Sequence, residues 1–247
     1  MFRKLAALLA VTFCVAAQAA DAPWRVISTG RMDFQVWRGQ EQLLTVEGRI
    51  LGPGWSNPQL SSLARVEGGK RVFAETVTFS PGRGGKKGSN LKEVAFDYRY
   101  ECSQPKPGVI QILSRTLSKT DAEATGAMLV VSTTDFFAGG KGAATLADGK
   151  SSAFQMPLGM SRIGDAVTAI TLTAVSGEQL KITASAPVTV SSDKGELRIQ
   201  PWANRIAAGK EEVRTIAFEF PGPVQFDPAN QIVDMKEWFP IATRQDF

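Results

Sequence analysis

Histidine is missing from all 247 residues, and that absence removes the commonest general base and metal ligand from the chain. No Ser-His-Asp or Cys-His arrangement can be assembled. Cysteine is nearly missing too, with only Cys14 and Cys102. Cys14 falls in a leader-like segment, so Cys102 has no partner for an intramolecular disulfide, and stability must come from burial. Zinc, which wants imidazole or thiolate, is disfavoured. Calcium needs only oxygen, but the one compact group, Asp227, Asn230 and Asp234, fits no EF-hand spacing. No cofactor is expected. There is also no long basic tract interleaved with aromatics, which argues against nucleic acid as a partner.

What is present begins with an N-terminal leader. Arg3 and Lys4 precede an apolar stretch, Leu5 to Ala17, and Ala17-Gln18-Ala19 supplies small residues for cleavage. This predicts a signal peptide over 1–19, too short for a membrane span, and a secreted or periplasmic product. Cys14 invites a lipoprotein reading, but Phe13 stands where a small residue is needed. Without Arg3 and Lys4 the chain keeps 26 basic against 24 acidic residues, about +2.

The remainder reads as strands. From Gly164 to Pro201 the β-branched load and the period-two alternation predict a meander. Val167 to Val175 turns at Ser176-Gly177, and Leu180, Ile182 and Ala184 share the inner face of the return strand. Pro187 resets the chain before Val188 to Val190, and Ser192-Asp193-Lys194-Gly195 turns it again toward Leu197 and Ile199. Elsewhere Trp24 to Ser28, Phe34 to Trp37, Leu43 to Leu51, Phe73 to Phe79, Leu91 to Glu101, Val109 to Ser114 and Val213 to Phe220 alternate in the same way. Ala127 to Thr133 is a nearly continuous apolar run and predicts a central strand covered on both faces. Gln104 to Gly108 reads as a turn. Asp227-Pro228 resembles a helix N-cap with proline at the first helical position, followed by Ile232, Met235 and Phe239 at helical spacing.

About twelve or more short strands, no long helical period and no linker predict an all-β protein. The expected architecture is one large antiparallel β-sandwich over 21–247, with room for one short C-terminal helix. Two smaller sandwiches split near 139–149 are the alternative.

Chemistry is harder to find. Gly149-Lys150-Ser151 has the tail of a phosphate-binding loop, but Ala144 occupies the place of its first glycine. The Gly82 to Gly88 loop also fails the spacing. Glu75 interrupts the apolar face of Phe73, Val77 and Phe79, and an edge strand accounts for it. Asp97 and Glu101 share a strand face, but four extended residues separate them by about 13 Å, too far for a glycosidase pair. Arg99 between them suggests a ladder of alternating charge. Trp55 and Trp202 lie among turn-forming residues and could stack on a sugar ring, whereas Trp24, Trp37 and Trp238 are readier to pack. Tyr98, Tyr100 and Arg99 complete the candidate ligand-binding set.

The succession of strands, with the late segment ELRIQPWANRIAAGKEEVRTIAFEF, resembles the galactose-mutarotase-like supersandwich of secreted carbohydrate-active proteins. That resemblance is architectural and implies a carbohydrate partner. Aldose epimerases of that type rely on histidine with a glutamate, and no histidine is available to match. The expectation is therefore a secreted or periplasmic, non-catalytic protein that binds an oligosaccharide or polysaccharide. The alternatives are a structural or protein-docking domain of the cell envelope, and a hydrolase or lyase working through carboxylates with Tyr98 or Tyr100.

Overall fold

A computed structural model describes residues 23–28, 30–52, 58, 60–79, 94–120 and 122–231. The expected leader over 1–19, the Gly82 to Gly88 loop, Trp55, Asp234, Trp238 and the expected helical run at Ile232, Met235 and Phe239 lie outside the described residues.

Among the described residues fifteen strands form one hydrogen-bonded sheet. In chain order they are β1 (Trp24–Ser28), β2 (Asp33–Arg38), β3 (Glu41–Leu51), β4 (Arg65–Glu67), β5 (Lys70–Phe79), β6 (Val94–Lys106), β7 (Val109–Ser118) and β8 (Ala122–Thr133). The rest are β9 (Lys141–Leu146), β10 (Ser151–Gln155), β11 (Ser161–Thr173), β12 (Gln179–Asp193), β13 (Glu196–Ile206), β14 (Glu211–Glu219) and β15 (Val224–Gln231). The pairing path runs β15-β1-β2-β3-β8-β13-β12-β14-β7-β6-β5-β4, with β11, β9 and β10 branching from β12. The protein is all-β, and its strand number agrees with the expected twelve or more.

The sheet closes over its own core by folding at β12. Thr189 to Asp193 pair with β13, whereas Lys181 to Ala184 pair with β14. Between them, residues 184–187 form a bulge against β11, where Val167 pairs Val188 and Ala169 pairs Thr183. Pro187 sits in this bulge, where a missing N–H costs no ladder bond. It bends one long strand instead of separating two, a correction to the reading that it resets the chain. The two leaves meet through side chains such as Phe34 of β2 and Phe218 of β14, edge to face at 5.5 Å. The far ends of the path also approach, and Gln104 Nε2 donates to the Val224 carbonyl at 2.7 Å.

Three other expectations need correction. The sheet is mixed, because β1 runs parallel to β15. Asp227-Pro228 lies within β15, not at a helix start, and the Asp227 carboxylate accepts from the Ala229 amide at 2.9 Å. Gln104 to Lys106 extend β6, leaving the turn to Pro107 and Gly108, whose φ of 75° suits glycine. Among the described residues the helical content is a single 3₁₀ turn, Asp135–Phe137.

Other readings hold. Ala127 to Val131 are all buried in β8, which pairs β3 on one side and β13 on the other. β4 pairs only with Lys70 to Val72, which leaves the rest of β5 at the sheet edge. There Glu75 accepts from the Ser61 and Ser62 amides at 2.9 and 3.1 Å. These hydrogen bonds hold its carboxyl below the usual range against the opposing effect of burial.

A charged cleft over strands β3, β8 and β13

The outer face of β3, β8 and β13 follows from simple alternation. In β3, Val46, Gly48 and Ile50 face the core, so Glu47, Arg49 and Leu51 face out. In β8, Met128 and Val130 share that outer side, and in β13 Glu196 and Arg198 do. Register sets Glu47, Val130 and Arg198 in one row across the three strands.

Two residues apart on one strand face, a glutamate and an arginine meet side by side. Arg49 Nε donates to Glu47 Oε1 at 2.8 Å and its Nη2 to Oε2 at 2.5 Å, a two-pronged bond. Arg198 Nη2 reaches Glu196 at 3.1 Å and Asp193 at 2.7 Å. Arg49 Nη2 also lies 3.8 Å from Glu196, which joins the two pairs into one array. The bond to Glu47, with the charges of Glu196 and Asp33, holds the Arg49 guanidinium above its ordinary pKa although burial opposes this.

Beneath the array Leu51, Met128 and Val130 form a second buried apolar cluster, separate from the main core. A cleft of about 520 Å³ opens here, with Glu47, Arg49 and Arg198 on its polar side. Met32, Ile50, Leu51, Pro58, Leu60 and Met128 make its apolar walls. That volume falls in the range of ligand pockets. On the core side of the same strand Gly48 leaves room for its neighbours: a Cβ there would lie 2.9 Å from Met32 Cβ and 3.2 Å from the Tyr100 ring.

Chemically the array donates through guanidinium N–H groups and accepts through carboxylates, above carbon. Glu47 and Glu196 flank one guanidinium nitrogen. Glycoside hydrolysis needs one carboxyl free to carry a proton to the leaving group, but both oxygens of Glu47 are engaged by Arg49.

The candidates singled out in the sequence lie elsewhere. Tyr98 and Tyr100 face the core, 2% and 3% exposed. Tyr98 Oη contacts Ser114 Oγ at 3.4 Å, and burial pushes its hydroxyl up to about 12. Burial raises Tyr100 as well. An acid or base working near neutrality is not available from either. Arg99 lies on the opposite side of β6, donating to Glu101 and Glu67 at 2.7 Å each. The structure therefore does not bring these three together. Trp202 is in strand β13, opposite Ala127, and not in a loop. Trp24 is buried against Phe136 and Phe220, and Trp37 Nε1 donates to Gln35 at 3.1 Å. Cys102 is a buried apolar residue whose thiol burial pushes up to about 12.

The sequence reading passed over Glu47, Arg49, Glu196 and Arg198. A signal was present: Glu47-Gly48-Arg49 and Glu196-Leu197-Arg198 repeat one Glu-x-Arg pattern, each within an alternating strand. What sequence could not supply was the register that sets the two motifs one strand apart.

With this geometry in hand, comparison with solved structures finds a GalM/aldose epimerase homologue from C. elegans. It is 10% identical, with a TM-score of 0.42, covering 82% of this chain and 99% of that one. The likeness is architectural. No family model matches the sequence, and neither does any curated protein.

Proposed function

We propose that the protein, exported after loss of its leader, binds a glycan in the cleft over β3 and β8 without transforming it. The observation that carries this reading is one coincidence: charged pairs stand over a buried apolar floor in a cleft of ligand size. A sugar ring has hydroxyls on its rim and carbon on its faces. It needs donors and acceptors held at fixed positions above an apolar surface. Ion pairs within and between strands hold Arg49 and Arg198 in place before a ligand arrives, which lowers the ordering cost of binding.

Isothermal titration against neutral, acidic and amino oligosaccharides tests the reading. Binding is expected from at least one class, reduced roughly tenfold or more by Arg198→Ala and unchanged by Arg99→Ala. A panel that gives no heat with the native protein ends the proposal.

A further inference from the structure

Three strands end the hydrogen-bonded network among the described residues: β4, β10 and β15. An open strand edge invites another strand, and folded proteins block such edges by brevity, charge or proline. Two of these strands are blocked in that way. β4 is only Arg65–Glu67, with a charge at each end, and β15 carries Asp227 and Pro228 within its length. The stretch of β5 beyond β4 is covered where Glu75 takes the Ser61 and Ser62 amides. β10 has none of these devices: Ser151-Ser152-Ala153-Phe154-Gln155 holds no charge and no proline.

The ladder to β9 decides which backbone groups of β10 face outward. Ser152 lies opposite Ala144 and Phe154 opposite Gly142. Just beyond the strand ends, the Leu146 amide donates to the Lys150 carbonyl and the Met156 amide to the Gly140 carbonyl. Hydrogen-bonded pairs in an antiparallel ladder recur at every second residue, so Ser152 and Phe154 turn their N–H and C=O groups to β9. Those of Ser151, Ala153 and Gln155 point away from the sheet. The side chains of the same three residues are exposed, whereas Phe154 packs on the main core.

We infer that β10 is a self-association edge: two copies of the protein pair antiparallel through it, about a two-fold axis at Ala153. That register sets Ala153 opposite its own counterpart and Ser151 opposite the other copy's Gln155, so every outward amide and carbonyl of the strand finds a partner. No like charges meet across the seam. Lys150 comes opposite Met156, and Asp148 already answers its charge at 2.8 Å. This self-complementarity is what selects a second copy as the occupant. An edge that pairs with itself closes a dimer, whereas pairing with a different edge would propagate, and β4 and β15 are blocked. A seam along a strand of 5 residues buries little area, so the dimer is weak, with a dissociation constant on the order of 100 μM.

The experiment is sedimentation equilibrium of the full protein from micromolar to millimolar concentration, with circular dichroism to verify that each variant folds. The native chain is expected to pass from monomer to dimer over that range. Ala153→Pro removes one outward N–H and leaves the β9 ladder intact, and should weaken the dimer roughly tenfold or more. Ala153→Lys and Ala153→Asp each place like charges face to face and should remain monomeric. Mixing these two variants should restore a dimer, a result that only pairing across Ala153 gives, and this test stands should Ala153→Pro not fold. A native protein that stays monomeric throughout overturns the inference, and so does a dimer that all three variants leave intact. A monomer that captures an unrelated extended peptide along β10 overturns the choice of a second copy.

Discussion

Two outer faces of this sheet carry the same chemistry in different relief. Over β3, β8 and β13 the motif is Glu-x-Arg, and over β4 and β6 it is Arg-x-Glu, at Arg65-Val66-Glu67 and Arg99-Tyr100-Glu101. Arg49 and Arg99 are about equally exposed, at 32% and 35%. Both are doubly paired. Beyond the shared pattern the faces part. Arg99 sits in register between Ala74 and Arg115. Its face holds further pairs, Lys70 with Glu101 at 2.7 Å and Lys119 with Asp97. The Leu51, Met128 and Val130 cluster has no counterpart cluster beneath that ladder among the described residues. Ion pairs on a wet strand face are common and worth little. Carbon buried beneath them, with space above, is what separates a candidate site from a solvated surface.

The strongest test of that contrast is Met128→Ala, which removes the floor of the cleft. A loss of about 2–3 kcal/mol in denaturant unfolding is expected, with loss of ligand affinity. Leu113→Ala, half-buried on the other face, should cost less than about 1 kcal/mol by the same measurement. Equal costs would erase the distinction.

Next in size is alkaline titration of the chain's two tyrosines. Both line the inner side of the strand whose outer side bears Arg99. Their folded pKa values are raised, Tyr98 to about 12. The stability they confer is complete below the unfolded value near 10 and is lost as pH climbs toward about 12. The loss from Tyr98 should reach about 2 kcal/mol. Phenolate absorbance should stay silent through pH 10 in the folded protein. A normal titration there would mean that this leaf opens and that Tyr98 is within reach of a ligand.

A smaller effect separates the arginines. Arg198→Ala strands Asp193 and Glu196 and is expected to cost about 1–2 kcal/mol, because Asp193 Oδ1 is already buried without a hydrogen bond. Arg99→Ala should cost under about 1 kcal/mol. Thermal melts of the two variants in low and high salt check this, with only the Arg99 cost expected to vanish in salt.

The least effect is at acid pH. The hydrogen bond from Lys70, followed by that from Arg99, holds Glu101 below its ordinary value. Its contribution is therefore present above the unfolded pKa and fades as pH falls through the lower, folded one. Glu101→Gln should flatten the acid limb of the stability curve by a fraction of a kcal/mol. An unchanged limb would show the ladder to be energetically idle.

Much of the fold was readable because alternation and turn chemistry are local. The assignment of Phe96, Tyr98 and Tyr100 to one face of β6, with Asp97, Arg99 and Glu101 on the other, agrees with the structure. So does the turn at Ser176-Gly177, where Gly177 takes a φ of 91°. Proline misled three times, at Pro105, Pro187 and Pro228. Its local preference for breaking strands gave way to irregular pairing inside β6 and β12 and to strand β15. The ligand candidates were chosen by residue type, aromatic and exposed by context. Tyr98 and Tyr100 showed that alternation, which had been read correctly, already placed them inside. The cleft depends on which strands become neighbours, and β3, β8 and β13 are separated by some eighty and seventy residues of chain. No window of sequence contains that adjacency.

The parallel pairing of β1 with β15 bears on how the molecule comes to be assembled. The earliest strand of the sheet waits for the latest one, since Trp24, Arg25 and Val26 find their partners in Val224, Gln225 and Phe226. A ribosome-bound chain must keep that flank unzipped until Val224 to Phe226 have emerged. Completion of the sheet is thus tied to β15, and a chain cut short before it would carry an open β-edge along β1.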